Sequence, residues 1–280
     1  MALQLKTYLA ASHDKLRFEP TAKRVRGMVD GHTVVDSIRA SLVWEPRRVV
    51  PEYAVPAADV VGLQPRFTPV ETTVPAGSGP LYPDTPFAAH TAHGEVVGLA
   101  GSGRTTLDQA GFRLAESPLD GYVVLDFTAF DSWLEEEEPV LGHPRDPFHR
   151  VDVRASTRAI DIRLKGAELA RSSSPRLAFE TNMAVRFYLP REDVRMERLT
   201  PSDTRSVCPY KGEASYFSLD PRGPETADVA GSAQGRDIAW TYNAPLPDAV
   251  ALAGLICFYD EKVDVTLDGV RLNRPLTPSL

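Results

Sequence analysis

The sequence predicts a mainly β protein built from two tandem copies of one small antiparallel domain, with few short helices. Short runs alternate apolar and polar residues, as strands with one buried face do. The 19 glycines and 24 prolines of the 280-residue chain punctuate these runs in the manner of turns. An internal repeat then indicates that one pattern of strands is used twice.

The repeat consists of unlike residue types that recur in the same order. A spacing of 135 residues relates Gly31 and Ser37 to Gly166 and Ser172. The same spacing relates Trp44-Glu45 to Phe179-Glu180, and a spacing of 134 relates Asp59-Val60 to Asp193-Val194. Weaker similarities follow at other spacings: His90–Glu95 with Cys208–Glu213, Gly111-Phe112 with Ala239-Trp240, and Phe127–Phe130 with Leu255–Phe258. We therefore predict one copy at about residues 20–140 and the other at about 150–272.

A short amphipathic helix before residue 10 is predicted in the N-terminal extension, and the first copy then begins with a hairpin at Val25–Ser37 that turns at Asp30-Gly31. Residues 76–111 are rich in Gly, Ala, Pro and Thr, which predicts a long loop. The acidic run at 135–138 predicts a solvated linker, continued by residues 143–151. The predicted domains are residues 1–142, an N-terminal extension with a diverged first copy, and residues 143–280.

In the second copy, alternating residues on both sides of Lys165-Gly166 predict a hairpin. Residues 184–189 are rich in β-formers and end at Pro190, and the apolar run 253–259 is long enough for a buried strand. Residues 263–267 followed by Asp268-Gly269 predict a further strand and turn.

The composition limits the possible functions. A net charge of −7 and a pI near 5.4 argue against a nucleic-acid-binding surface, which needs a basic stripe. The two cysteines, Cys208 and Cys257, are too few for a disulfide framework or a four-thiolate zinc site. The N-terminus has no apolar run long enough for a signal peptide or a membrane span. We expect a cytoplasmic protein without a membrane partner.

Reactive side chains are concentrated in residues 204–216, TRSVCPYKGEASY. Cys208 could act as a nucleophile if a nearby cation such as Lys211 lowers its pKa, or it could simply pack beside Pro209. Lys211 could place an ammonium over a pocket, or lie in a solvated turn. Glu213 could orient Lys211 or accept a proton, and an exposed ion pair is the alternative.

Aromatic residues near this segment could line a ligand site or form core. Tyr216, Trp240 and Tyr242 could provide a flat wall for a planar or cationic ligand, with Tyr188 and Arg205 as further members.

Two pairs of histidines were considered as metal ligands. His143 and His149 are irregularly spaced, so we favour a proline-braced clamp over a metal site there. His90 and His93 lie in the predicted loop, where we also favour a structural role.

The second half resembles the family catalogued as domain of unknown function 427. The resemblance rests on Gly166, Ser172, Glu180, Tyr188-Leu-Pro-Arg-Glu-Asp-Val194, the segment Thr204–Tyr216, Trp240-Thr-Tyr242 and Phe258-Tyr259. It implies a small mainly β domain with strongly bent sheets, similar to the β-tent of methionine sulfoxide reductase B. Relatives of that fold bind zinc through paired Cys-x-x-Cys motifs; this chain has none, so we expect no metal.

The preferred functional prediction is a small-molecule pocket in the second copy, lined by Cys208, Lys211, Glu213, Tyr216 and Trp240. One alternative is an enzyme that acts on a carbonyl, acyl or nucleotide-like substrate through Cys208 or Lys211. Another is a protein-interaction module that pairs its strand edges with a partner. The sequence identifies no cofactor, ligand or oligomeric state.

Overall fold

The computed structural model describes residues 2–61, 63–75, 77–100, 106–115, 118–223 and 227–275. The chain forms two compact units, Met1–Pro147 and Phe148–Leu280. Both are built from antiparallel sheets, so the predicted mainly β class is confirmed.

In the described residues of the first unit there are one short α-helix and eleven strands. The elements are α1 (Leu5–Ala10), β1 (Arg17–Pro20), β2 (Val25–Val29), β3 (His32–Ser37), β4 (Ser41–Trp44), β5 (Glu52–Pro56), β6 (Leu63–Val70), β7 (Gly94–Ala100), β8 (Thr106–Leu114), β9 (Tyr122–Leu125), β10 (Ser132–Glu135) and β11 (Glu138–Val140). Seven strands form one sheet in the order β1-β4-β5-β9-β8-β7-β6, and four form another in the order β11-β10-β2-β3.

The part of the second unit that the structure describes also contains eleven strands, together with one turn of α-helix. The elements are β12 (Val151–Ala155), β13 (Ile160–Leu164), β14 (Ala167–Ser172), β15 (Arg176–Glu180), β16 (Arg186–Leu189), β17 (Leu199–Cys208), β18 (Gly212–Leu219), α2 (Ala227–Ala230), β19 (Ala239–Tyr242), β20 (Ile256–Phe258), β21 (Asp264–Leu267) and β22 (Val270–Arg271). The sheets have the orders β12-β15-β16-β20-β19-β18-β17 and β14-β13-β21-β22.

The two units share one topology, strand for strand. Adding eleven to each strand number of the first unit reproduces both sheet orders of the second. The first hairpin of each unit even has its register shift at the same place, after Gly27 in one and after Ile162 in the other. The residues matched at spacings of 135 and 134 therefore occupy corresponding positions in two units with the same strand order.

Tight turns explain why the hairpins were predictable. Asp30 and Gly31 both have positive φ, and so do Lys165 and Gly166. Two successive residues of this kind suit the two-residue turn whose twist matches that of paired strands. Glycine adopts the conformation without steric penalty at the second position.

Each unit buries a core between its large and small sheets. In the second unit, Ile160 and Ile162 of the small sheet pack in one cluster with Leu189, Ile256 and Phe258 of the large sheet. In the first unit, Val25 and Trp133 pack with Tyr53, Val97 and Leu125. Burial of apolar area at about 25 cal/mol per Å² makes these clusters the main stabilising feature of each unit.

A serine–aspartate pair recurs in both units and explains part of the repeat. Ser37 Oγ lies 2.6 Å from the carboxylate of Asp59, and Ser172 Oγ lies 2.6 Å from that of Asp193. The same serine oxygens accept the backbone N–H two residues later, at 3.1 Å in each case. These matched residues fasten the end of a hairpin to a short 3₁₀ turn.

Two local predictions are wrong. Glu135 is not part of a solvated linker, because it lies on β10 and is buried, where its carboxylate binds the Tyr53 hydroxyl and the Lys23 ammonium. The predicted loop at 76–111 contains β7 and much of β8. Glycines obscure the strand pattern there, although a side chain at Gly94 would collide with the carbonyl of Arg113 on the neighbouring strand.

The pairing of strands also corrects two alignments within the repeat. Ala54 lies opposite Val124, and its counterpart Tyr188 lies opposite Cys257. Residues 123–125 therefore correspond to 256–258, and the predicted counterpart at 127–130 falls in the following turn. Likewise, Val96 is opposite Phe112 and Tyr216 is opposite Trp240, which moves the predicted superposition of His90 on Cys208 by two residues.

Candidate functional site

The predicted aromatic residues lie on the outer face of the large sheet in the second unit, the face opposite its core. Residues directly opposite one another on antiparallel strands share a face. Tyr216 is opposite Trp240, Trp240 is opposite Cys257, and Cys257 is opposite Tyr188. One row of side chains thus crosses four strands. A second row contains Ser206, Ala214 and Tyr242.

Most of this aromatic group is buried rather than presented to solvent. The Trp240 indole N–H donates to the Tyr188 hydroxyl at 3.2 Å, and the two rings meet edge to face. Ala249 and Leu252, from the 3₁₀ segment Pro247–Leu252, pack against the same cluster. Tyr188, Trp240 and Tyr242 are therefore principally core residues of this face.

Burial changes the acid–base properties of the cluster. It raises the pKa of the Tyr188, Tyr242 and Tyr259 hydroxyls and of the Cys257 thiol, because a charge would lose its hydration there. These four groups are neutral at physiological pH. Cys257 is consequently a packing residue and not a nucleophile.

Arg186 is a charged member of this face that the sequence did not single out. Its guanidinium makes two bonds to the carboxylate of Glu261, at 2.8 and 2.7 Å. It also lies over the rings of Trp240 and Tyr259, at 5.7 and 5.9 Å from their centroids. Burial raises the pKa of the neighbouring Asp260 to about 7, against the opposing effect of Arg186.

The Cys-Pro-Tyr-Lys-Gly motif forms the end of the β17–β18 hairpin. Cys208 and Gly212 are paired across the hairpin, and Gly212 has a φ of +93° that favours glycine. The Lys211 carbonyl accepts the Leu246 N–H at 3.1 Å. The sequence places Gly212 where the chain must reverse beside another segment.

Lys211 is buried and bound to a carboxylate. Its ammonium contacts both carboxylate oxygens of Glu180, one of them at 2.5 Å. His149 Nε2 lies 3.0 Å from Glu180 Oε1, and its ring stacks on Tyr210 with centroids 4.2 Å apart. These residues form what we call the Glu180 cluster: His149, Glu180, Tyr210 and Lys211.

The Glu180 cluster holds an ionised carboxylate in a buried place. Burial by itself raises the pKa of Glu180, but the hydrogen bond with His149 and the charge and hydrogen bonds of Lys211 outweigh it and lower the pKa to about 2. The contact also joins the β17–β18 turn to β15, although β16, β20 and β19 lie between them in the sheet. Strand spacing would put them roughly 19 Å apart in a flat sheet, so this sheet curves toward its outer face.

The other predicted site residues divide into two groups. Cys208 is half-buried, and so is Tyr216, whose hydroxyl lies 2.7 Å from that of Ser206. Glu213 is exposed and lies 3.9 Å from the guanidinium of Arg205, itself half-exposed. Glu213 therefore does not orient Lys211; Glu180 does. The sequence contained a signal for Glu180, because it matches Glu45 in the repeat.

The histidines behave differently from one another. His90 is buried, and its Nδ1 lies 2.9 Å from Glu45, so it contacts the counterpart of Glu180 much as Lys211 does. His93 is exposed and only approaches Glu71, at 3.8 Å. His143 Nδ1 lies 2.8 Å from the Pro144 carbonyl oxygen. Across the described ranges, no group of three or more His, Cys, Asp or Glu side chains is placed to hold a metal ion.

Two concavities stand out. One in the first unit has a volume of about 660 Å³ and includes His90 in its wall. One in the second unit, of about 180 Å³, is lined by Val185, Phe187, Asp260 and Val263 among others. Neither of the two is lined by Cys208 or Lys211.

Part of the second unit matches a known family model. Residues 152–269 match the model of a family described as Domain of unknown function (DUF427). The matched segment begins in β12 and ends after β21, and so covers the cluster of aromatic residues and the Cys-Pro-Tyr-Lys-Gly turn. No curated protein matches the chain. In the part of the chain that the structure describes, no helix is both long enough and apolar enough to cross a bilayer.

Proposed function

We propose that the second unit binds a small molecule on the outer face of its large sheet, beside the Cys208 thiol. The observation that carries this proposal is the grouping of three polar side chains at one margin of that face: Cys208 and Tyr216 are half-buried, and Ser206 is exposed. Cys208, Ser206 and Tyr216 belong to adjacent strands, and the Ser206 and Tyr216 hydroxyls already touch. The Arg186–Glu261 pair and the Tyr259 ring lie on the same face.

The role of the Glu180 cluster in this proposal is to fix the turn that carries Cys208. The Lys211 ammonium donates hydrogen bonds to both carboxylate oxygens of Glu180, so we do not assign it as an imine-forming group. A fixed turn keeps neighbouring side chains in one geometry, which lowers the entropy lost on binding. The ligand class that suits thiol and hydroxyl groups beside aromatic edges is an uncharged polar molecule with a planar part.

The test combines a binding screen with thiol labelling of the full chain. A metabolite library is screened for compounds that raise the melting temperature, and each positive compound is then tested for protection of Cys208 from iodoacetamide. Cys257 is an internal control, because burial raises its pKa and prevents labelling in the folded protein.

We expect a true ligand to slow the labelling of Cys208 at least tenfold and to lose affinity in Ser206→Ala and Tyr216→Phe variants. Glu213→Gln is the matched control, since Glu213 is exposed and apart from this margin. If the compounds stabilise the protein equally in all variants, or leave Cys208 labelling unchanged, the proposed site is contradicted. The same labelling rates test Cys208 as an enzyme nucleophile: a rate no faster than that of a free model thiol argues against that alternative.

A further inference from the structure

The first unit has a concavity of its own, built on β6, β7 and β8 and the segment before β7. Its volume of about 660 Å³ is in the range of small-molecule sites. The wall residues are Thr68, Val70, Thr73, Ala88, His90, Val96, Gly98, Thr106, Asp108 and Gln109. They supply three hydroxyls, an amide, a carboxylate and an imidazole, and none of them is a lysine or an arginine.

His90 is the buried polar residue of this wall, and its orientation is fixed. The ring is 1% exposed, stacks on Phe112 at 3.7 Å and meets the edge of Phe87 at 5.2 Å. Its Nδ1 lies 2.9 Å from Glu45 Oε1, while Glu45 Oε2 accepts the backbone N–H groups of Thr91 and Ala92 at 2.7 and 3.0 Å. The arrangement leaves the imidazole little freedom to rotate.

The carboxylate determines which ring nitrogen carries the hydrogen. A carboxylate can only accept, so a neutral His90 donates from Nδ1 to Glu45 and keeps a lone pair on Nε2. Among the described residues, His90 Nε2 is buried and has no hydrogen-bond partner. A buried acceptor without a donor is unfavourable, and a ligand that supplies the donor removes that penalty.

We propose that this concavity binds a small amine-bearing polyol, such as an amino sugar, which donates a hydrogen bond to His90 Nε2 and places its ammonium near Asp108. The hydroxyls of Thr68, Thr73 and Thr106 match a ligand rich in O–H groups. Among the wall residues that the structure describes, Asp108 is the one carboxylate and there is no lysine or arginine, which favours a cation over an anion. This site is independent of the one proposed for the second unit.

The experiment uses the full chain and three probes of similar size: glucosamine, glucose and glucuronate. Nitrogen-15 NMR of labelled histidine follows His90 directly and needs no substitution. We expect the free protein to have the Nδ1-protonated tautomer, and we expect glucosamine to shift the Nε2 resonance, with affinity in the order glucosamine, glucose, glucuronate. Absence of a shift with all three at millimolar concentration, or an Nε2-protonated ring in the free protein, would overturn the proposal.

Two variants test the roles of the wall. Asp108→Asn removes the carboxylate from an exposed position and should reduce the preference for glucosamine over glucose to less than about twofold, with Asp120→Asn as the matched exposed control. His90→Phe keeps an aromatic ring on Phe112 and should weaken binding of both sugars at least tenfold. If His90→Phe does not fold, the comparison of Asp108→Asn with Asp120→Asn and the NMR shift test the proposal. Unchanged binding in Asp108→Asn contradicts the assigned ammonium position, and Cys208→Ser should leave binding of all three probes unchanged.

Discussion

Glu180 and Lys211 are the residues on which the arrangement of the motif depends most directly. Both side chains are about nine-tenths buried, and the ammonium contacts both carboxylate oxygens. A buried ion pair adds little stability relative to apolar residues of the same shape, but removing one partner leaves a charge that the protein cannot solvate. Substituting one member should therefore lower the free energy of unfolding by more than the intact pair contributes to it.

Lys211→Met should lower the free energy of unfolding by about 3 kcal/mol, because it leaves the Glu180 carboxylate buried with His149 alone. Urea unfolding of the full chain measures the change. Lys165→Met is the matched control, since Lys165 pairs with Asp228 at an exposed site and should change stability by less than about 1 kcal/mol. Equal losses in the two variants would contradict a special role for Lys211.

Acid should destabilise the second unit through Glu180. Its pKa of about 2 lies below the value of about 4.3 in an unfolded chain, so its stabilising contribution is present above about pH 4.3 and is lost as the pH falls toward 2. Between pH 6 and pH 2 the wild type should lose about 3 kcal/mol more than Glu180→Gln. Unfolding curves at several pH values measure this difference, and parallel pH profiles would argue against an ionised Glu180.

At the scale of elements, close approach of backbones decides which strands can pair. A Cβ added at Gly94 would lie 2.2 Å from the Arg113 carbonyl oxygen and 2.5 Å from the Phe112 ring. Gly94 pairs with Leu114 at the start of β7, so this glycine permits the β7–β8 pairing. Glycines such as Gly94 favour a loop in the sequence pattern, although here the strand pairing requires one.

Gly94→Ala should lower the free energy of unfolding by about 3 kcal/mol, because the backbone carbonyl of Arg113 has little room to move. Gly79→Ala is the control: a Cβ there meets no atom within 4 Å, and the change should stay within about 1 kcal/mol. Thermal or urea unfolding provides the comparison. A Gly94→Ala protein as stable as Gly79→Ala would mean that β7 and β8 are spaced more widely.

At the scale of the whole molecule, one strand order occurs in both units, and each unit has its own core. The two main clusters draw their residues from 25–140 and from 160–272 respectively. A unit that buries its own sheet faces satisfies the requirement for folding as a domain.

Residues 148–280 expressed alone should therefore fold. We expect a far-UV circular dichroism spectrum typical of β structure and a single cooperative unfolding transition, with a free energy of unfolding on the order of 5–15 kcal/mol. An unfolded or non-cooperative fragment would show that its stability depends on the rest of the chain. The fragment should also retain the pH dependence attributed to Glu180.

The sequence predicted those parts of the fold that depend on local chemistry. Lys165-Gly166 and Asp30-Gly31 sit in tight turns with the positive φ that their residue types tolerate, and Pro190 follows directly on the end of β16. The repeat identified Glu45 and Glu180 as equivalent positions. What it did not give is their partners, because His90 is 45 residues from Glu45 and Lys211 is 31 residues from Glu180.

The candidate site could be predicted only in part, because a local sequence pattern does not reveal contacts between residues that are distant in sequence. Period-two alternation correctly groups Tyr216 with Trp240 and Tyr242 on one face, but it carries no information about what covers that face. The 3₁₀ segment that packs on these rings follows β19 and was not anticipated. The sequence left two roles open for Glu213, a partner of Lys211 or a member of an exposed ion pair, and the structure places it near Arg205 at the surface. Residues two apart on one strand share a face, but Lys211 precedes β18 and Gly212 has a positive φ, so this alternation does not extend across the turn.

The acid at the end of the fourth strand of each unit has different counter-groups. Glu180 has an ammonium and an imidazole, whereas Glu45 has an imidazole, two backbone amides and, at 3.9 Å, the guanidinium of Arg48. Acids at the same position of the two units are thus contacted by different groups within one polypeptide. The shared strand order fixes where the acid lies in each unit, but it does not fix which groups contact that acid. The two halves can then diverge in chemistry while retaining a common architecture.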